Sequence, residues 1–355
     1  MKKKVLISTG GSGGHVFPAI AMYDHLKLNY EMLISTDLRG SKYLKEENYN
    51  FIIINTPKLN NLFLLPFAIL KVAVLTIKSL IILKSENVSI LISTGGYMSL
   101  PLCLAAKILN IKMYLIEPNM ILGRANKFFL KFSKKLLCYS TDLINLPKKF
   151  KQKITLINPL IRKKYYEKNT KIKESNPFTI SIIGGSQGAI VFDKLINEII
   201  VRISKKYSLK IIHQTSKKNI ESLKIFYKEN KIENSVFIFN KNLNEQLLEC
   251  DLCITRAGAS SLAELSFMKI PFIAIPLPSS KDNHQFENAK FYEKKNCCWI
   301  FEQDSFDKQT FEELLMKILK KDNEYLMIKN NLEKLNYQNT WFNVNQNLLE
   351  IINAN

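Results

Sequence analysis

Short unbroken apolar runs alternate along the chain with longer segments whose apolar positions recur every three or four residues. The runs "KVLIST" (4–9), "EMLIST" (31–36), "FIIIN" (51–55), "SILIST" (89–94), "IKMYLIE" (111–117) and "KLLCYS" (135–140) read as strands. Most are separated by helical spacing, beginning with "FPAIAMYDHLKL" (17–28). Strands that are apolar throughout, rather than at alternate positions, predict a parallel sheet with helices on both faces. The plan then repeats. "FTISIIGG" (178–185), "LKIIHQ" (209–214), "SVFIF" (235–239), "DLCIT" (251–255) and "IPFIAIP" (270–276) read as strands, and 189–204 as a helix. Between the halves, 157–177 is polar and charged with prolines near both ends, which reads as a linker. The expectation is an α/β chain of two doubly wound, Rossmann-like parallel-sheet domains facing a cleft. Their expected spans are 1–157 and 158–338, with a last helical segment, about 339–352, placed to cross back onto the first. A length of 355 residues agrees with two cores rather than one.

One helical stretch stands apart. "LFLLPFAILKVAVLTIKSLIIL" (62–83) is long enough to span a bilayer, but Pro66, Lys71 and Lys78 interrupt it, and charge at a bilayer centre is costly. The two lysines are seven apart and share one helix face. As the crossover between parallel strands, the helix is expected to be buried in its domain. The rival expectation is a helix lying along a membrane interface, lysines toward the headgroups.

Composition adds a formal net charge of +20. Nucleic acid, an anionic membrane surface and a general bias toward lysine, asparagine and isoleucine all offer explanations. The lysines are scattered, with no arginine-rich or aromatic-interleaved patch, so bias leads, membrane follows, and no nucleic-acid partner is expected. Of the six cysteines, Cys250 and Cys253 have C-x-x-C spacing, but Cys297 and Cys298 are adjacent and supply no second pair for zinc. Structural thiols in a reducing cytosol are the expectation, with no metal site. "MKKKVLIST" is basic, but its apolar stretch is too short for a signal peptide.

The chemistry falls at strand ends. "TGGSGGHVFPAI" (9–20) puts four glycines and a histidine between the first strand and the first helix. From Gly11 it reads G-S-G-G-H-V, so the last glycine of a dinucleotide fingerprint is missing, although Asp37 stands near the end of the next strand. There is no Gly-Lys-Ser/Thr for a P-loop. What remains is a turn whose amides and helix N-terminus favour an anionic or polar group, with a tight packing turn as the plainer reading. His15 lies at the carboxyl end of the sheet, where open α/β sheets bind ligands. It is read as a general base, with a helix-cap or core donor as the alternative. "GGSQGA" (184–189) repeats the device, adding Ser186 and Gln187 as polar handles for a diphosphate. In "TRAGASSLAEL" (255–265), Glu264 can accept from vicinal ribose hydroxyls, or it completes a capping box with Ser261; spacing leaves both open. In "IPLPSSKDNHQFENA" (275–289), Asn283, His284 and Gln285 offer neutral hydrogen bonds to a sugar.

"GGSGGHVFPAIA", "STGGYMSLP", "EPNMILGRANK", "NPLIR", "GGSQGA", "RAGASSLAE" and "DNHQFENA" together resemble, in order and approximate spacing, the motifs of the MurG family of peptidoglycan N-acetylglucosaminyltransferases. The resemblance implies a two-domain GT-B glycosyltransferase. Such an enzyme moves GlcNAc from UDP-GlcNAc, with inversion, to the C4 hydroxyl of undecaprenyl-diphosphate-linked MurNAc-pentapeptide, converting lipid I to lipid II. It implies His15 as the catalytic base. Donor contacts would come from Ser12, Gly13, Gly14, Asn119, Arg162, Ser186, Asn240, the run Ala259, Ser260, Ser261, Leu262, Ala263 and Glu264, and Gln285. Tyr97 and Glu117 would lie on the acceptor side. No metal or other cofactor is implied. The implied location is the cytoplasmic face of the bacterial inner membrane, with an anionic membrane surface and other cell-wall synthesis proteins as further partners. The chain departs from the family pattern at Ser12 (usually threonine), at Ile116 and Pro118 (usually histidine and glutamine) and at Ile157 (usually glycine). Another GT-B glycolipid glycosyltransferase and a UDP-sugar epimerase are the alternatives on the same fold.

Overall fold

A computed structural model of the chain describes residues 2–57, 63, 65–167, 177–184, 190–240 and 242–354. The chain divides into two compact units, Met1–Lys163 with Asn339–Asn355, and Lys164–Gln338.

The first unit holds β1 (Lys4–Ser8), β2 (Glu31–Thr36), β3 (Phe51–Ile53), β4 (Val88–Ser93), β5 (Lys112–Glu117), β6 (Lys135–Cys138) and β7 (Ile154–Leu156). Their order is β3-β2-β1-β4-β5-β6-β7, and every pairing is parallel. Val5, Leu6 and Ile7 of β1 are fully buried, as a central strand covered on both faces requires. The strand order reverses between β1 and β4, so the crevice at their carboxyl ends is the natural ligand position. Ser8 pairs with Ser93, so two identical stretches, "LISTGG" at 6–11 and at 91–96, end side by side there.

The second unit repeats the plan with β8 (Phe178–Ile183), β9 (Leu209–Gln214), β10 (Glu233–Phe237), β11 (Leu252–Thr255), β12 (Phe272–Ala274) and β13 (Trp299–Ile300). The order is β10-β9-β8-β11-β12-β13, again all parallel, with the reversal between β8 and β11. β7 and β13 escape the sequence reading: β7 is a three-residue piece interrupted by Thr155, and β13 is a two-residue pair directly after Cys297 and Cys298. The first helix starts earlier than its apolar spacing suggests, so Gly13 and Gly14 lie in its first turn. The segment 189–204 forms two helices, Ile190–Leu195 and Asn197–Ser204. Ile196 between them has φ −111°, yet its amide still donates to Phe192 and its carbonyl still accepts from Ile200.

The helix Leu65–Ser85 corrects an expectation. It is not buried in its domain: only Ala68, Thr76, Ser79 and Leu83 are fully covered, and Leu75, Leu80 and Ile82 are partly buried against the core. Thr76 and Ser79 turn their hydroxyls back onto the carbonyls of Val72 and Leu75, at 2.8 and 2.7 Å, so the covered strip is narrow and its polar groups are satisfied internally. Phe67, Leu70, Val74, Ile77 and Ile81 are each more than half exposed.

The final helix, Trp341–Asn353, packs on Gly13–Leu26 within the first unit. Trp341 stacks on His25 with ring centroids 3.7 Å apart, Asn345 Nδ2 donates to the His25 carbonyl, and the Tyr30 hydroxyl donates to Asn353 Oδ1 at 2.6 Å. Burial pushes the His25 pKa down to about 3. A histidine that stays neutral when folded adds stability above its unfolded pKa of ~6.5 and loses it as pH falls toward the folded value. The loss should reach about 3 kcal/mol at pH 4. Thermal unfolding of the parent chain should therefore weaken between pH 6.5 and 4 more steeply than that of His25→Phe, which keeps the stack. Parallel pH profiles would contradict this.

Candidate functional site

In the first unit the site grows from the two matching strand ends. His15 is the third residue of the helix Gly13–Leu26. Its Nδ1 lies 2.7 Å from the Thr94 carbonyl, just past β4. A carbonyl only accepts, so Nδ1 carries a proton, and in the neutral ring Nε2 is the nitrogen with the lone pair. Thr94 Oγ1 donates to Thr9 Oγ1 at 2.9 Å, and Thr9 Oγ1 donates to the His15 carbonyl at 2.9 Å, so the ends of β1 and β4 hold the histidine from both sides. Gly96, at φ +79°, needs glycine twice over: a Cβ there would be conformationally strained, collide with Met98 Sδ and stand 3.8 Å from His15 Nε2.

The glycine turn itself is tied by Asp37, which is buried. Asp37 Oδ1 accepts from the amides of Gly11 and Gly40, both at 2.8 Å, and Oδ2 accepts from Arg39 Nε and Nη2 at 3.2 Å. That corrects the dinucleotide reading: the acidic residue after β2 holds the turn instead of being presented to a ribose. Arg39 also donates to the Tyr97 hydroxyl. Burial raises the pKa of that hydroxyl despite the opposing pull of Arg39, so it stays protonated at neutral pH. Ser12 is the N-cap residue and its side chain makes no capping bond; beside Gly14 the neighbouring atom is Ser12 Oγ, 3.6 Å from where a Cβ would lie. Gly13 lies against the Phe17 ring.

Glu117, at the end of β5, organises the next loop. Oε1 accepts from the Asn119 amide and Nδ2, at 3.3 and 3.0 Å, and Oε2 accepts from the Gly123 amide and Asn126 Nδ2, at 2.8 and 3.0 Å. The Asn119 side chain is thus oriented with Nδ2 held inward. Arg162 places its guanidinium 4.0 Å from the Phe17 ring centroid and 3.7 Å from Glu47 Oε1.

In the second unit, β8 delivers Gly184, whose amide donates to Gln214 Oε1 at 3.1 Å. Ser186 lies outside the described residues, as does all of 185–189. After β11 the helix Ala259–Phe267 opens with Gly258 as N-cap. This removes the capping-box reading, because Ser261 lies inside the helix and the N-cap has no side chain to reciprocate. Ser260 Oγ is buried with no hydrogen-bond partner among the described residues, beside the strand-order reversal. Leu262 and Ala263 are buried in the same helix, with Ala259 at its start. Glu264 Oε2 accepts from the Tyr165 hydroxyl at 2.8 Å. Arg256 is structural: it donates to the carbonyls of Ile275 and Pro276, both at 3.0 Å, and to Gln303 Oε1 at 2.6 Å. Asn240 accepts from the Asn242 amide at 2.8 Å and follows two exposed apolar residues, Ile238 and Phe239. Gln285 Oε1 accepts from the Leu277 amide at 3.0 Å, and His284 Nδ1 donates to the Lys281 carbonyl at 2.7 Å.

Three contributors were not singled out from the sequence. The Thr94 carbonyl was signalled by the repeated "LISTGG", which pairs the two strand ends. Gln214 is visible only as a polar residue closing an apolar strand. Tyr165 sits in "KKYYE" and carries no signal. The six cysteines are free, and burial pushes the Cys250 thiol up to about 12. Among the described residues, no group of three or more His, Cys, Asp or Glu is arranged to hold a metal ion.

Residues 5–138 match the glycosyltransferase family 28 N-terminal domain, and residues 179–339 match its C-terminal domain. A protein of Pelagibacter ubique (strain HTCC1062) is 47% identical over 356 residues, covering 100% of both chains. Its name is UDP-N-acetylglucosamine--N-acetylmuramyl-(pentapeptide) pyrophosphoryl-undecaprenol N-acetylglucosamine transferase. A protein of the same name from Rickettsia felis (strain ATCC VR-1525 / URRWXCal2) is 36% identical over 331 residues, 89% of this chain and 90% of its own. The crystal structure of Acinetobacter baumannii MurG superposes with a TM-score of 0.74 at 22% identity, covering 99% of this chain and 100% of that one; at this identity the likeness speaks to the fold.

Proposed function

Because the chain belongs to the MurG family of peptidoglycan glycosyltransferases, we propose that it transfers GlcNAc, with inversion, from UDP-GlcNAc to the C4 hydroxyl of undecaprenyl-diphosphate-linked MurNAc-pentapeptide. UDP-GlcNAc is a substrate here, not a cofactor. The observation that carries the mechanism is the 2.7 Å contact between His15 Nδ1 and the Thr94 carbonyl, which leaves Nε2 as a proton acceptor at the carboxyl end of the first sheet.

In the proposed step, Nε2 takes the proton of the acceptor's C4 hydroxyl as that oxygen bonds to the anomeric carbon. The bond from that carbon to the diphosphate breaks with its electron pair, and UDP leaves. The anomeric centre inverts because attack and departure are on opposite faces. The second unit is the proposed donor side. Ser186 and the amides around it would receive the diphosphate. The unsatisfied Ser260 Oγ, with Ser261 and Glu264, would face the nucleotide, and Tyr165 would fix the Glu264 carboxylate for ribose hydroxyls. Asn240 would meet the uracil through its backbone, and Gln285 would reach the GlcNAc hydroxyls. On the first unit, Ser12, Gly13 and Gly14 would present backbone to the sugars. Asn119, held by Glu117, would touch the donor sugar, and Arg162 would complete that side. Tyr97 is proposed to lie toward the acceptor.

A lipid-linked acceptor requires work at a membrane surface, and the chain is read as a peripheral membrane protein. The exposed apolar face of Leu65–Ser85, with Lys71, Lys78 and Lys84 also exposed, supports contact with an anionic bilayer. We place that contact on the cytoplasmic face of the inner membrane, where other cell-wall synthesis proteins would be its neighbours.

Two outcomes follow. His15→Ala should lower kcat by about 10²–10⁴-fold, while UDP-GlcNAc binding by calorimetry changes little; turnover near that of the parent would remove His15 as the base. The triple change Leu70→Ser, Val74→Ser, Ile77→Ser should abolish sedimentation with anionic liposomes at low salt and leave UDP affinity intact. Undiminished sedimentation would remove this helix as the membrane contact.

A further inference from the structure

The end of β9 carries three consecutive polar residues, His213, Gln214 and Thr215, all buried. Burying such groups is costly unless each finds a partner, so the partners reveal what the cluster holds. Gln214 Oε1 accepts from the Gly184 amide at 3.1 Å, and Nε2 donates to the Ile238 carbonyl at 3.2 Å. β9 lies between β8 and β10, so this one amide group spans the carboxyl ends of both neighbours. Gly184 opens the second glycine turn, and Ile238 stands two residues before Asn240. The flanking residues secure the helix that follows the turn. Thr215 Oγ1 and Asn219 Nδ2 donate to Asp193 Oδ2 at 2.9 and 2.8 Å, and His213 Nε2 lies 3.2 Å from Asp193 Oδ1. Burial would raise the Asp193 pKa, but its hydrogen bonds with His213, Asn219 and Thr215 outweigh that and hold it below the usual carboxylate range, so it is ionised and anchored. His213 is in turn fixed by the Tyr227 hydroxyl, 2.7 Å from Nδ1.

We propose that Gln214 is a positioning residue that sets the spacing between the part of the donor site that receives the diphosphate and the part that receives the uracil. The inference rests on the proposed donor role of this unit. A ligand that engages two subsites gains from both only when their separation is already correct, because otherwise binding must supply the ordering. Gln214 bridges the entry of one subsite to the approach of the other through a rigid planar amide. Without it each subsite persists, but their spacing is no longer held.

The test compares a ligand that spans both subsites with one that fills a single subsite. In Gln214→Met, similar in length but without the hydrogen bonds, UDP affinity by calorimetry should fall about tenfold and uridine affinity by less than about twofold. KM for UDP-GlcNAc should rise by about the same tenfold with kcat at saturation nearly unchanged. Gln214→Leu, uncharged and likewise without the hydrogen bonds, should show the same split, and it serves if the methionine variant does not fold. Equal losses for UDP and uridine would mean general damage to the unit and overturn the proposal. So would UDP affinity equal to the parent's in both variants. A parent chain without UDP affinity would overturn the donor assignment itself, and the bridge with it.

Discussion

A carbonyl oxygen cannot donate a hydrogen bond, and the proposed chemistry of the first unit depends on that restriction. The Thr94 carbonyl requires the proton on His15 Nδ1 and so defines which nitrogen can act as the base. The contact exists because β1 and β4 are neighbours in register, each running out through the same six residues, "LISTGG". Their parallel pairing is in turn a consequence of apolar strands buried on both faces. Asp37 then fixes the glycine turn beneath the histidine with two backbone amides and Arg39.

The second unit uses the same topology with a different emphasis. Its strand ends bring together backbone and polar side chains: the Gly184 amide, Ser260 Oγ at a helix start, and the Glu264 carboxylate, which accepts from the Tyr165 hydroxyl. Gln214 joins two of those strand ends. Arg256, the charged residue that sequence placed among the motif side chains, is committed to carbonyls of the β12 loop and to Gln303. The proposed division of labour puts the base on one unit and the receipt of the leaving UDP on the other.

The parallel α/β class was legible because continuous apolar strands admit few other packings, and the strand positions largely followed from it. β7 and β13 were not legible: Thr155 interrupts the first, and the second is a two-residue pair, whereas the equally short β3 lies in the unbroken apolar run "FIII". The covering of Leu65–Ser85 was also misjudged, because composition gives the apolarity of a helix but not how much of it a neighbour covers. Its buried residues are few, Ala68, Thr76, Ser79 and Leu83, with Leu75, Leu80 and Ile82 partly buried against the core, while Phe67, Leu70, Val74, Ile77 and Ile81 face outward. The histidine, the glycine turns and the Asn119 and Glu264 positions were readable as motifs. What held them was not, since Thr94, Tyr165 and Gln214 act through single hydrogen bonds between residues far apart in sequence. The capping-box alternative at Ser261 could be settled only by seeing where the helix begins.

The most direct test of the central claim is the stereochemistry of the product. The chain would be incubated with UDP-GlcNAc carrying ¹³C at the anomeric carbon and with vesicle-borne undecaprenyl-diphosphate-MurNAc-pentapeptide, and the product read by NMR. A β-linked GlcNAc on the MurNAc C4 oxygen, with one UDP released per linkage, is the expected result. An α linkage, or conversion of UDP-GlcNAc in the absence of acceptor, would contradict single displacement with His15 as base.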